Sequence, residues 1–253
     1  MDLLAVGSLY MQEGPTVAGG CVADVARAAL AAGLRVAVAT RVGLDKGGRD
    51  AVDALRAAGA DLSAAQTDPD LPTPKRVVRG ANVRLEPYAA FDNLQFDSDV
   101  EALARAAEAV VTDACSRRHG QGRSAIDRVL VTAPNAVRVI DLIRRTPPDD
   151  RLDRECVGNA LELAQVFIVD AVALRTLVPA VAEPIAAAER FASLDRARTV
   201  VALLADATAL RGRHRADLGP IAAERSPSVA VAVAKALVYA ESLEEALASQ
   251  RSS

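Results

Sequence analysis

The sequence predicts an α/β protein with a doubly wound, mostly parallel sheet covered by helices on both faces. Short apolar runs alternate with amphipathic or Ala-rich segments along the 253 residues, and glycines close many of these segments. Hydrophobic residues make up 51% of the chain and charged residues 25%, so a sizeable core can form. We therefore expect one three-layer domain over residues 1–253.

Predicted strands and helices alternate clearly over the first 60 residues, and this alternation is interrupted at 61–97. Apolar runs at 3–6 and 35–40 predict buried strands, while segments 24–32 and 49–58 predict helices ended by Gly33 and Gly59. Residues 61–97 hold four of the twelve prolines and three of the seven aromatic residues. We expect a small excursion of short strands and loops there, with strand-like pieces at 75–78 and 83–85.

The alternation resumes after residue 97 and predicts βαβ units, hence a parallel sheet. A Gly-bearing loop is expected at 120–122, with Ser124 capping the helix that follows. Predicted strands are 110–112, 137–142, 166–169 and 199–204. Predicted helices are 100–109, 124–133, 154–164, 171–177, 185–194, 229–240 and 243–249.

Composition and spacing exclude several classes of function. The net charge is −3 and no Lys/Arg block occurs, so we expect no nucleic-acid partner. The sequence contains no window of 18 uncharged apolar residues, so we expect no membrane span. The three cysteines form no CxxC pair, which favours a reducing compartment and predicts a cytoplasmic protein. His119 and His214 have no partner at ligand spacing, so we expect no metal site at either.

A run of motifs between residues 18 and 60 resembles the PfkB/ribokinase family of carbohydrate kinases. It comprises Ala18-Gly19-Gly20, Ala32-Gly33-Leu34, the turn Gly43-Leu44-Asp45-Lys46-Gly47-Gly48, and Leu55–Ala60. Fainter similarity continues to the closing helix at 243–247. The resemblance implies a ribokinase-like fold. No GxGxxG follows the first strand, so a dinucleotide fingerprint is absent.

The resemblance also implies a substrate site for a small polyhydroxylated molecule. In that family a Gly-Gly pair opens the first helix and contacts the sugar, as Gly19-Gly20 would here. The family's early sugar-binding Asp falls at Gln12, its helix-opening Asn at Asp24, and its Gly-x-Asp-x-x-Gly turn includes Asp45. These five positions are the implied substrate-binding residues.

The chain departs from this family where phosphoryl transfer takes place. The family's Gly-Ala-Gly-Asp, which supplies the base and an anion hole, corresponds to the stretch Glu224-Arg225-Ser226-Pro227-Ser228 here, just before the predicted helix 229–240. Pro227 occupies the base position and removes one N–H donor, so no catalytic residue is assigned. Ser226 is expected as helix N-cap with Pro227 at the first helical position, and Ser226 and Ser228 are the implied nucleotide-binding residues.

Other departures agree with the loss of the base. The metal-associated Asn and Glu of the family fall at Asp170 and Ala173, and the stretch between Gly7 and Gly19 is short. We therefore expect lid strands that are reduced or absent. Asp24, Asp45, Asp141 and Asp170 follow predicted strands or open the next helices. They predict either an acidic rim for a polyhydroxylated or cationic ligand or, for Asp24 and Asp170, simple helix caps.

Two functions remain open at this point. The first is a sugar-kinase homologue that has lost ATP-dependent transfer and binds a small molecule or a partner protein. The second is an enzyme. It is either a divergent active kinase of a sugar or other small alcohol, using Asp24, Asp45 or Asp170 as the base, or a catalyst of another reaction on the same scaffold, and Glu224 is the candidate carboxylate near Ser226. ATP and Mg²⁺ would be cofactors only in the second case. A homodimer through 61–97, with its Tyr88, Phe91 and Phe96, is the alternative to a satellite apolar cluster there.

Overall fold

A computed structural model describes residues 1–12, 18–79, 82–85, 89–117, 120–143, 162–195 and 198–251. The strands within these residues are β1 (Leu3–Val6), β2 (Tyr10–Gln12), β3 (Ala18–Gly19), β4 (Val36–Gly43), β5 (Ala65–Asp68), β6 (Lys75–Arg79), β7 (Asn82–Leu85), β8 (Ala109–Asp113), β9 (Val137–Asp141), β10 (Val166–Val169), β11 (Thr199–Leu203), β12 (Thr208–Gly212) and β13 (Ala216–Leu218). The α-helices there are α1 (Cys21–Ala31), α2 (Lys46–Ala57), α3 (Ser98–Ala106), α4 (Gly120–Thr132), α5 (Ala171–Leu177), α6 (Pro184–Ala192), α7 (Ser226–Val238) and α8 (Leu243–Ser249).

Nine strands form the main sheet in the order β13-β12-β11-β10-β9-β8-β1-β4-β5. All neighbours from β11 to β5 pair in parallel, and β12 and β13 add an antiparallel edge. The chain winds from β1 to β4 on one side and later places β8 on the other side. The predicted doubly wound α/β fold is therefore confirmed, with its switch point between β1 and β8.

Alternate strand residues pack on opposite faces of the main sheet, as the period of two requires. Leu3, Ala5 and Val139 belong to the core that holds α1, α2, α7 and α8, and we call this side the α1/α7 face. Leu4 and Val6 belong to the core under α3, α4, α5 and α6. Ala, Val and Leu dominate both cores because the chain has no Trp and few aromatic residues.

A second, small sheet bears on the expectation that lid strands are reduced or absent. Its four strands lie in the order β3-β2-β6-β7, so such strands are present but short, with two to five residues each. Parallel pairing of β2 with β6 places Met11 opposite Lys75. The short stretch after Gly7 holds only half of this sheet, and its partner strands come from the excursion at 61–97, a pairing that local sequence reasoning cannot find.

Several element boundaries differ from the predicted ones. Strand β4 runs to Gly43 and α2 begins at Lys46, so most of the predicted loop at 42–48 is regular structure. Helix α4 begins at Gly120, so Gly120–Gly122 is helical and Ser124 does not cap it. The short strands β5, β12 and β13 were not predicted. Glycine discourages a helix prediction locally, but packing of Gly122 against the Phe91 carbonyl favours a residue without a side chain here.

The aromatic residues of 61–97 pack inward where they are described. Phe91 is buried in the core under α3 and α4, and the Phe96 ring lies 4.3 Å beneath the Arg128 guanidinium. These two rings therefore belong to the apolar cluster that the sequence offers as one alternative, while the homodimer through 61–97 stays a prediction. Tyr88 and most of the predicted helix 154–164 lie outside the described residues. None of the helices in the described ranges is both long enough and apolar enough to span a bilayer.

Candidate functional site

The candidate site lies at the carboxyl ends of β1, β8 and β9, on the α1/α7 face. In an open parallel sheet the loops beyond the strand ends at the switch point leave a crevice for ligands. Helix α1 and helix α7 both begin at this edge and pack side by side. The polar residues between the two helix starts define the site.

The start of α1 is tightly fitted to the segment after β1. Gly20 precedes the helix with φ 111° and ψ 154°, a conformation that is essentially restricted to glycine. A Cβ on Gly20 would lie 2.5 Å from the Ser8 carbonyl oxygen. Gly19 pairs with Tyr10 in the small sheet, and Gln12 lies opposite Arg76 in the same sheet. Gln12, Gly19 and Gly20, three of the implied substrate-binding residues, thus belong to the lid and its junction with α1.

A buried hydrogen-bonded group fills the floor between β1 and β8. The Ser116 hydroxyl donates to Asp113 Oδ2 at 2.6 Å and accepts from the Ser8 backbone N–H at 2.8 Å. The backbone N–H of Ser116 donates to Asp113 Oδ1 at 2.9 Å, and the Ser8 hydroxyl is 3.4 Å from the Ser116 hydroxyl. All three residues are buried, so the group holds the ends of the two strands in one geometry.

A second carboxylate extends this group of polar residues toward α7. We call Ser8, Ser116, Asp113, Asp141 and Ser226 together the row. Asp141 lies opposite Asp113 in the register of β8 and β9, so the two residues stand side by side at about the 4.8 Å strand spacing. Asp141 Oδ2 accepts a 2.6 Å hydrogen bond from the Ser226 hydroxyl, and Oδ1 accepts from the Ile143 N–H at 2.9 Å. Asp141 and Ser226 are 1% and 0% exposed, so this contact is inside the protein.

The start of α7 corrects the predicted cap. Arg225 is the N-cap residue, and no side chain caps the helix, whereas Ser226 is the first helical residue. The Ser226 hydroxyl bonds to Asp141 from a strand 85 residues earlier, a tertiary contact that overrides the local capping preference. Pro227 is buried as the next helical residue, and Ser228 is half-buried. The proline removes one of the N–H donors at this helix end.

Asp45 ties α2 to the segment before β6. Its carboxylate accepts from the Gly48 N–H at 2.7 Å, the Thr73 N–H at 2.7 Å and the Thr73 hydroxyl at 2.9 Å. Burial alone would raise the pKa of Asp45, but these hydrogen bonds outweigh burial and hold the pKa below its usual value. Both oxygens of Asp45 are engaged by the fold.

The remaining predicted carboxylates also have local partners. Asp170 caps α5 by accepting from the Ala173 N–H at 2.7 Å, as the capping interpretation predicts. Asp24 is inside α1, 3.3 Å from Arg27 Nη1, so it does not cap the helix. Asp170 follows the end of β10 and Asp45 follows the end of β4, and these two strands are four strand spacings apart, roughly 19 Å. This spread does not support one acidic surface shared by all four predicted carboxylates.

A mostly apolar cleft of about 530 Å³ lies beside the row, at the carboxyl ends of β10 and β11. Asp170, Leu203, Ala205 and Ile221 are among its lining residues. The residues at the positions that would bind phosphates and a metal do not fit those groups. The Asp170 carboxylate caps a helix, Ala173 has no oxygen ligand and Pro227 lacks an N–H. Across the described ranges, no three His, Cys, Asp or Glu side chains are grouped to hold a metal.

Sequence reasoning missed Ser8, Asp113 and Ser116. Asp113 is the last residue of a buried strand, and Ser8 and Ser116 follow buried strands within three residues, so their position at the end of an apolar run is the signal that could have indicated them. Their connection was not readable locally, because Ser8 and Ser116 are 108 residues apart in the chain. Glu224, the predicted replacement carboxylate, is exposed in the 3-10 turn before α7.

Comparison with solved structures shows which fold this is. The chain is similar to a PfkB protein from Polaromonas sp. JS666 at 20% identity and TM-score 0.78, covering 97% of this chain and 92% of that one. It is similar to adenosine kinase from Sinorhizobium meliloti at 14% identity and TM-score 0.77, covering 97% and 90%. It is similar to an uncharacterised sugar kinase from Pyrococcus horikoshii in complex with ATP at 14% identity and TM-score 0.71, covering 91% and 83%. No protein-family profile and no curated protein matches the chain. The fold is that of the PfkB/ribokinase-like kinases.

Proposed function

We propose that this protein binds a small polyhydroxylated molecule between the starts of α1 and α7 and has lost ATP-dependent phosphoryl transfer to it. One observation carries the proposal. Pro227, buried in the first turn of α7, stands where the resemblance places the general base, and it can neither accept a proton nor donate an N–H.

Transfer of phosphate to an alcohol requires a base, donors around the phosphate and usually a metal. At the start of α7 the contacting carboxylate is Asp141, and both of its oxygens already accept hydrogen bonds, from Ser226 and Ile143. Asp45 and Asp170 are likewise engaged by backbone N–H groups. These contacts support the loss of transfer over a divergent active kinase that uses one of these carboxylates.

The class of ligand follows from the residues along the row. Hydroxyl groups of Ser8 and Ser116 can donate and accept, and the Asp113 carboxylate accepts, which suits a ligand with several hydroxyls. The small sheet lies above the α1 end of this row through Gly19 and Tyr10. Solved proteins with this fold include an adenosine kinase and a sugar kinase, and this supports a sugar or nucleoside as ligand.

The test is a binding screen followed by an activity assay. Pentoses, hexoses, polyols and nucleosides are screened by thermal shift, and hits are measured by calorimetry. A ligand at 100 times its dissociation constant should add about 2.7 kcal/mol to the free energy of unfolding. Each hit is then incubated with ATP and Mg²⁺, and ADP is measured. We expect binding of at least one compound and no ligand-dependent ADP.

Ser8→Ala, which removes a hydroxyl from the row, should weaken the hit by about tenfold. Ser193→Ala is the control, because Ser193 is exposed at the end of α6, far from the row, and its hydroxyl donates to the Arg190 carbonyl. Ligand-dependent ADP production would contradict the loss of transfer. Absence of any hit, or equal affinity in the Ser8→Ala variant, would contradict binding in this row.

A further inference from the structure

A second cleft lies at the amino ends of the main-sheet strands, opposite the candidate site at their carboxyl ends. It has a volume of about 420 Å³ and is formed by the amino ends of β9, β10 and β11, the turn between β12 and β13, and the carboxyl end of α7. Strand β9 begins at this cleft with Val137 and ends at the candidate site with Asp141. The cleft is therefore separate from the row between α1 and α7.

Two opposite charges line this cleft without neutralising each other. Arg213 follows β12 and Glu241 follows α7, and both side chains are exposed. No ion pair joins either of them to another residue in the described part of the chain. A cation and an anion that share one cleft but do not pair can each bind a charged group of a ligand.

Polar groups deeper in the cleft have free hydrogen-bonding positions. His214 Nε2 is buried and has no hydrogen-bond partner among the described residues. Burial lowers the pKa of His214, and the nearby charge of Arg213 lowers it further, which favours the neutral ring, in which one nitrogen can accept. The Gln165 side-chain oxygen is engaged by Arg138, which leaves its amide N–H₂ as a donor.

The end of α7 adds a third electrostatic feature. The helix closes with the Glu241 N–H donating to the Ala236 carbonyl, and Ala236 and Leu237 line the cleft. The carboxyl end of a helix carries partial negative charge and favours a cation. The Glu241 side of the cleft thus suits an ammonium group and the Arg213 side suits a carboxylate, while the half-buried Val137 and Leu237 offer apolar contact.

We propose that this cleft binds a small α-amino acid with an apolar side chain, holding its carboxylate at Arg213 and its ammonium at Glu241. The zwitterion matches the two unpaired charges in the same cleft, and its side chain covers the apolar wall. A volume of about 420 Å³ is within the range of small-molecule sites. The proposal is independent of the ligand at the other edge of the sheet.

Calorimetry on the full chain tests the proposal with alanine, leucine and phenylalanine as probes. We expect at least one of them to bind. For the tightest, the matching carboxylic acid without the ammonium and the matching amine without the carboxylate should each bind at least about tenfold more weakly. Failure of all three amino acids to bind, or equal binding of either truncated compound, would overturn the proposal.

Substitutions in the cleft test whether the amino acid binds there and not at another surface. Arg213→Gln should weaken the amino acid by about tenfold or more, and Glu241→Gln should remove its advantage over the carboxylic acid. Arg190→Gln is the control, because Arg190 is an exposed arginine on α6 that does not line the cleft. All three positions are exposed, so the variants should fold, and circular dichroism checks this. Unchanged affinity in Arg213→Gln would place the amino acid elsewhere and refute the assignment.

Discussion

The hydroxyl of Ser226 donates a 2.6 Å hydrogen bond to Asp141 Oδ2, joining the first residue of α7 to the last residue of β9. The contact is buried and connects two elements 85 residues apart. It places a carboxylate directly under the start of α7. Negative charge at that position disfavours an anionic group at the same helix end.

Ser226→Ala should lower the free energy of unfolding by about 2 kcal/mol, because a buried carboxylate loses a hydrogen bond donated by a hydroxyl. Ser228→Ala, two residues later and half-buried, is the matched control and should change stability by less than about 0.5 kcal/mol. Urea denaturation measures both. Equal effects of the two substitutions would show that the contact with Asp141 is not stabilising.

Gly20→Ala should destabilise the protein more than Gly33→Ala. Both glycines have positive φ, 111° and 76°, and an alanine there costs about 1–2 kcal/mol. Only at Gly20 would the new Cβ also meet a backbone atom, the Ser8 carbonyl oxygen at 2.5 Å, whereas nothing lies within 4 Å at Gly33. Thermal unfolding of the two variants compares them directly. A smaller loss at Gly20 would argue against the close fit between α1 and the segment after β1.

Acid unfolding should depend on Asp68, which accepts from the N–H groups of Asp70 and Leu71 and from the Asn93 amide, and pairs with Arg41 at 3.0 Å. Burial alone would raise the pKa of Asp68, but these contacts lower it from 3.8 to about 2. A pKa lowered by folding stabilises the folded state above the unfolded pKa. That stabilisation, about 2 kcal/mol, is lost as pH falls from about 4 to 2.

The variant Asp68→Asn should therefore lose less stability than wild type between pH 4 and pH 2. Asp53→Asn is the control, since Asp53 pairs with Arg56 on the surface with 69% of its side chain exposed, and such pairs contribute little. Urea denaturation at several pH values gives the change in the free energy of unfolding with pH, which is the slope to compare. The same slope for wild type and Asp68→Asn would contradict the lowered pKa.

Ala240→Gly should stabilise the protein by about 0.5–1 kcal/mol. Ala240 follows the end of α7 with φ 54°, and the Glu241 N–H bonds to the Ala236 carbonyl, the arrangement in which glycine is preferred. Ala248→Gly, in the exposed part of α8, should instead destabilise by about 1 kcal/mol. Destabilisation by both substitutions, measured by urea denaturation, would mean that the left-handed position carries no strain.

The main elements of the fold were readable from local pattern, but the contacts between distant segments were not. Apolar runs such as 3–6 and 166–169 identify strands because both faces of a parallel sheet are covered. The pairing of β2 with β6 depends on a contact between residues 64 positions apart, Met11 and Lys75. No local rule indicates such a partner, so the lid strands were expected to be reduced or absent.

The candidate site was predictable in part for the same reason. Gly20 and Pro227 stand at helix starts, where residue type alone restricts the backbone, and the structure places both there. The role of Ser226 was not predictable, because the choice between capping α7 and bonding to Asp141 is made by tertiary packing. Ser116 was missed because its partner, Ser8, lies on another strand end.

The most direct test of the central claim is calorimetric titration of the purified protein with ATP, with and without Mg²⁺. A start of α7 that lacks an N–H at Pro227 and lies over the Asp141 carboxylate predicts no Mg²⁺-dependent ATP binding, even if a nucleobase enters the apolar cleft. Tight, Mg²⁺-dependent binding of ATP would mean that the phosphate and metal sites are intact, and it would contradict the loss of phosphoryl transfer.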